Sequence, residues 1–131
     1  MPLVKYSGRM TRSTLKTVLV VEDEILTRVD AVACLREAGF DVVEAGSGAE
    51  ALAVIRARDD VDLIFTDIQM PGPVDGLELA RRARESHPHV CLVFTSGARR
   101  VDTDNLPGEG LFFSKPYDAE NVAETVQRLL A

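Results

Sequence analysis

Cysteine is scarce in this 131-residue chain, and the two present, Cys34 and Cys91, lie far apart and form no CxxC pair. Set in an apolar helix pattern and an apolar strand pattern, they read as buried, reduced thiols, which points to a reducing compartment. A signal peptide and an apolar run of bilayer length are also missing, so a cytoplasmic protein without membrane association is expected. Acidic residues are missing from the first sixteen positions, which carry Lys5, Arg9, Arg12 and Lys16. With four of the 15 basic residues there, the remainder holds 11 basic against 21 acidic residues, so a net charge of −6 conceals a body at −10. That balance argues against direct nucleic-acid binding by the body. Residues 1–16 are expected to form a flexible basic extension and 17–131 one domain, since a chain of this length closes around a single core.

What is present is an alternation of short β-branched runs and helical patterns. "TVLVV" from Thr17, "DVVEA" from Asp41, "DLIFTD" from Asp62, "VCLVFTS" from Val90 and "GLFFS" from Gly110 read as strands. Between and after them, apolar periodicity predicts helices over Ile25–Ala38, Ser47–Ala57, Gly76–Glu85 and Asp118–Leu130. In the first of these the apolar stripe is drawn from Ile25, Leu26, Val29, Val32, Ala33, Leu35 and Arg36. The stretch "GARRVDTDNLPGE" has little periodicity, so a fourth helix between the last two strands is expected to be short or irregular. The pattern implies an α/β fold, a doubly wound parallel sheet of five strands in the order 2-1-3-4-5 with helices on both faces.

In such sheets ligands bind at the carboxyl ends of the strands where the order reverses. Strand one ends in Glu22 and Asp23, strand three in Asp67, strand four in Thr95, and strand five in Lys115 followed by Pro116. Three carboxylates thus converge beside a hydroxyl and an ammonium. Converging carboxylate oxygens suit Mg²⁺, a hard cation. Asp67 can then serve both as a metal ligand and as a nucleophile toward phosphorus, with Thr95 and Lys115 stabilising the developing phosphoryl charge.

On "VLVVEDE", "FTDIQMPG", "VFTSG" and "FFSKPY", the chain strongly resembles the CheY-like receiver domains of bacterial two-component response regulators, over about Thr17 to Ala131. The resemblance implies that Asp67 is phosphorylated by a sensor histidine kinase or a histidine phosphotransfer protein, with output through a downstream protein target. It implies Mg²⁺ held by Asp23, Asp67 and the backbone carbonyl of Gln69, with Glu22 acting through water. It further implies Thr95 as the switch hydroxyl, Lys115 as phosphate partner and a cis Lys115–Pro116 bond. Phe112 stands at the aromatic switch position without a hydroxyl, and "MPGPVDG" is one residue longer than the usual loop. A stand-alone phospho-acceptor signalling domain follows, capable of self-catalysed phosphotransfer and autodephosphorylation but not otherwise an enzyme. The alternative is a receiver excised from a hybrid histidine kinase.

Rival readings fit less of the chain. "GSGAEA", Gly46 to Ala51, matches a dinucleotide-binding turn, but it follows an edge strand and leaves the acids, Thr95 and Lys115 unused. Ser47 reads there as a helix cap, with Glu50 completing a capping box. A Mg²⁺-dependent phosphoesterase with an aspartyl nucleophile needs a D-x-D after strand one, where this chain reads "EDE". "HPH", His87 to His89, reads as a solvated turn and not a metal site. A phosphate-independent interaction module would not need the intact acceptor, hydroxyl and lysine.

Overall fold

The computed structural model describes residues 4–6, 9–11, 15–97 and 110–131. Its centre is a five-stranded, all-parallel sheet of β1 (Thr17–Val21), β2 (Asp41–Ala45), β3 (Val61–Asp67), β4 (Cys91–Ser96) and β5 (Leu111–Ser114). The strands lie in the order β2-β1-β3-β4-β5, the doubly wound arrangement anticipated. Every residue of β1 is buried, as a Val-rich run between two sheet neighbours requires. Within the 1–16 stretch, Val4–Tyr6 pairs antiparallel with Arg9–Thr11 in a two-stranded sheet separate from this one. The irregular fourth helix expected before β5 falls in 98–109, outside the described residues.

Four helices are described: α1 (Ile25–Glu37), α2 (Gly48–Ala57), α3 (Gly76–Ser86) and α4 (Ala119–Leu129). Each begins on a polar cap, Glu24, Ser47, Asp75 and Asp118 respectively, whose side chain accepts from first-turn N–H groups that no helical carbonyl reaches. The Ser47 cap is as expected, but Glu50 reaches back to the N–H of Gly46 at 3.2 Å, one residue before the usual capping-box position.

The sheet separates two cores. Leu19, Val21 and Ile64 join Leu52 and Ile55 of α2 and Leu79, Ala80 and Ala83 of α3 on one face. On the other, Val18, Val20 and Leu63 join Ala31, Val32 and Leu35 of α1 and Val122, Ala123 and Val126 of α4. Burying each large aliphatic side chain contributes about 1.5–3 kcal/mol.

The expected stripe of α1 needs correction. Ile25, Leu26 and Val29 are 63%, 77% and 55% exposed, and Ala33 and Arg36 also face solvent, while Ala31, Val32 and Leu35 carry the packing. As α1 runs back along β1, its first turn lies level with the strand end, where the sheet offers little surface to cover. In α2, Ala51, Leu52 and Ile55 are buried whereas Ala49, Ala53 and Arg56 are exposed. The two thiols are free and half-buried rather than fully enclosed.

One backbone approach fixes the floor of the site. The Gly76 N–H donates to the carbonyl of Ile68 at 2.9 Å, and a Cβ at Gly76 would stand 2.1 Å from the Asp67 carbonyl oxygen. Only glycine lets the start of α3 sit this close to the end of β3. Gly76→Ala is therefore expected to cost about 1–3 kcal/mol, the usual penalty for forcing apart a packed interior. Denaturant melts check this, and unchanged stability would contradict the close approach.

Candidate functional site

The parallel strands all point their carboxyl ends to one edge, and the chemistry collects there. β1 runs into Glu22 and Asp23, and the N–H of Glu22 continues the ladder by donating to the Ala45 carbonyl at 3.1 Å. Glu24 turns away to cap α1, accepting from the N–H groups of Leu26 at 3.2 Å and Thr27 at 2.7 Å and from the Thr27 hydroxyl. The acidic triplet thus divides, with one member spent on a helix start and two turned to the site.

Glu22 and Asp67 are 3% and 6% exposed, while Asp23 faces solvent. One oxygen from each of Glu22, Asp23 and Asp67 lies within 4.8 Å of the others. Burying like charges so close is costly unless a cation compensates them. Lys115 does so: its Nζ donates to Glu22 Oε1 at 2.5 Å and to Asp67 Oδ2 at 3.0 Å. The lysine is aimed by its own backbone, whose N–H donates to the Ser96 carbonyl at 2.9 Å, and the Lys115–Pro116 peptide is cis.

The other oxygens of the two buried acids also have donors. Glu22 Oε2 accepts from the N–H of Glu24 at 3.1 Å, and Asp67 Oδ1 from the N–H of Gln69 at a longer 3.3 Å. Burial pushes the Glu22 carboxyl above its ordinary range, with Lys115 and the Glu24 N–H opposing the shift. Burial also works to lower the Lys115 ammonium, but its bonds to Glu22 and Asp67 outweigh that, so it titrates above the usual lysine value.

Thr95 is buried and stands opposite Asp67 in the β3–β4 register, where its carbonyl accepts from the N–H of Ile68 at 2.8 Å. Gln69, two residues after Asp67, is exposed. Phe112 lies opposite Phe94 on β5 and is half-buried against the core on the α2 and α3 face. The structure therefore draws Glu22, Asp23, Asp67 and Lys115 into one cluster, sets Thr95 beside it, and leaves Phe112 on the neighbouring strand. Of the decoys, His87 bridges the Arg58 carbonyl at 2.7 Å and the Ser86 hydroxyl at 2.8 Å, a turn-stapling role.

Two residues that shape the site escaped the sequence reading. Gly76 carried no signal beyond a turn-like Asp-Gly pair. Arg28, to which the sequence assigned no role, donates to the Glu22 carbonyl at 2.8 Å; its position on α1, a turn after the acids, was the available clue.

The donor set fits Mg²⁺, because the cluster offers three hard carboxylate oxygens within 4.8 Å of one another.

Comparison with known proteins bears on the family and the fold. A family model described as the response regulator receiver domain matches residues 18–127. The sensor kinase CckA of Brucella abortus (strain 2308) is 38% identical over 118 residues, spanning 87% of this chain but 12% of that protein. The response regulator receiver protein CpdR of the same organism is 32% identical over 120 residues, spanning 88% of this chain and 98% of its relative. Among solved structures, a response regulator receiver protein from Sinorhizobium medicae WSM419 superposes with a TM-score of 0.81 at 31% identity, covering 89% of this chain and 95% of that one.

Replacing Lys115 with Met removes the cation and leaves its two partners in place. At neutral pH the variant is expected to lose on the order of 1–3 kcal/mol, below the usual cost of breaking a fully buried pair because the lysine is partly solvated. Without Lys115 the Glu22 carboxyl should rise further, so the folded state binds its proton more readily than the unfolded chain. The deficit should then shrink as pH falls through that raised value. Denaturant melts at pH 7 and pH 5 check this; a deficit that grows on acidification contradicts it.

Proposed function

Since this chain belongs to the response regulator receiver domains of two-component signalling, we propose that Asp67 is its phospho-acceptor. One observation carries the assignment: of the carboxylates in the cluster, Asp67 is the one that both receives the Lys115 ammonium, at 3.0 Å, and lies opposite Thr95 in the sheet.

In the step proposed, an oxygen of Asp67 forms a bond to the phosphorus of a phosphohistidine. The P–N bond of the donor breaks, and its electron pair leaves with the imidazole nitrogen. Lys115, already on Asp67, balances charge on the phosphoryl oxygens, and the Thr95 hydroxyl donates from the side of β4. Mg²⁺, when bound, neutralises part of the phosphoryl charge. Asp23 and Asp67 would hold it directly, with the Gln69 carbonyl as a further ligand and Glu22 acting through water. Glu22 also keeps Lys115 within reach of Asp67. The same donors would support hydrolysis of the aspartyl phosphate by the domain itself.

A sensor histidine kinase or a histidine phosphotransfer protein is the proposed donor, and a protein target reads the output through Thr95 and Phe112. Among the described residues no helix is long and apolar enough to cross a membrane, and a cytoplasmic setting is proposed on the reading of its thiols as reduced. Residues 17–131 would form the signalling unit and 1–16 an extension to it. The near-complete coverage of CpdR supports a receiver that works as its own module.

Incubation with a small phosphodonor and Mg²⁺ is expected to add one phosphate to the wild-type chain by intact mass, none to Asp67→Asn, and little to wild type when Mg²⁺ is chelated. Full labelling of Asp67→Asn contradicts the assignment.

A further inference from the structure

The exposed Asp23 has little packing around its side chain, so its aim depends on the backbone at Glu22 to Glu24. That backbone is held from several sides. The Glu22 N–H is tied to β2 through the Ala45 carbonyl, and the Glu24 N–H is tied to the Glu22 carboxylate. A further group, the Glu22 carbonyl, belongs to the peptide that leads into Asp23, and Arg28 Nη1 donates to it at 2.8 Å. The guanidinium does not reach there loosely. Its Nε bonds Glu44 of β2 at 3.2 Å, and Nη1 lies 3.0 Å from where a Cβ at Gly46 would be. Arg28 is thereby seated among the end of β1, the end of β2 and the turn after it.

We propose that Arg28 is a positioning residue for the divalent cation: by gripping the Glu22 carbonyl while anchored on Glu44, it fixes the peptide that aims Asp23. The inference rests on the reading of Glu22, Asp23 and Asp67 as the Mg²⁺ site, and adds a residue that touches neither metal nor phosphate. Arg28 presents a planar fork of several donors, so one guanidinium can serve a carbonyl and a carboxylate together; a lysine ammonium lacks that fixed geometry.

The sign of the effect separates this role from plain electrostatics. A positive charge near a cation site repels the cation, so removing it should tighten Mg²⁺ binding if charge alone matters. A positioning residue acts oppositely: its loss loosens the ligand set and weakens binding.

The test is Mg²⁺ titration followed by amide chemical shifts in wild type, Arg28→Ala and Arg28→Lys, with a metal-free thermal melt of each. Arg28→Ala is expected to weaken Mg²⁺ at least threefold, and Arg28→Lys to fall between it and wild type. In the metal-free Arg28→Ala spectrum the Asp23 amide should shift. Should Arg28→Ala fail to fold, Arg28→Lys decides: it keeps the positive charge and loses the fork, so weaker Mg²⁺ binding there cannot come from charge. Unchanged or tighter binding in the folded variants overturns the role of Arg28 while sparing the metal site. If wild type shows no saturable Mg²⁺ binding, the metal reading itself fails and this inference falls with it.

Discussion

Everything at the functional edge depends on one ammonium group between two buried carboxylates. Glu22 and Asp67 arrive at the ends of adjacent strands because β1 and β3 are neighbours in register. Hydrophobic burial of those strands thus forces like charges together. Lys115 makes that affordable, and it can do so only because its own strand ends on the Ser96 carbonyl. The charge that stabilises the resting site is also the charge a transferred phosphoryl group would need. Folding and the proposed function draw on the same side chain: the two carboxylates raise the Lys115 pKa, and Lys115 opposes the rise that burial imposes on Glu22.

The sequence made the sheet legible for a simple reason. A strand buried on both faces has to be an apolar run, so the point where Val21 gives way to Glu22, or Thr66 to Asp67, marks both the end of a strand and the edge where ligands gather. Order then follows from the alternation of elements, and the cluster follows from order. The reading failed where the answer depended on where the sheet stops. Periodicity counted Ile25, Leu26 and Val29 as inward because it records the angle around a helix and not whether a partner surface exists at that height.

Two further features were hidden because they are contacts of the backbone. Nothing about glycine at position 76 distinguishes a tolerated turn residue from one whose Cα rests against the Asp67 carbonyl. Nor does an arginine on a polar helix face announce that it bonds a main-chain oxygen six residues back. Side-chain chemistry is written in the sequence; the aim of a peptide unit emerges only when three elements meet. For the same reason the Glu50 bond to Gly46 rather than Ser47 had no local signature.

The division of the interior by the sheet bears on how this chain can vary. Leu19 and Val20 are covalent neighbours, yet Leu19 belongs to the core under α2 and α3 and Val20 to the core under α1 and α4. Compensating changes of volume must therefore be sought among residues on the same face, however distant in sequence, and not among adjacent ones. One face can drift to suit a new neighbour while the other keeps its packing, because the two share only main chain. The carboxylates, carried at the ends of that shared main chain, keep their spacing through such drift, so the acidic cluster can outlast repeated remodelling of the surfaces around it.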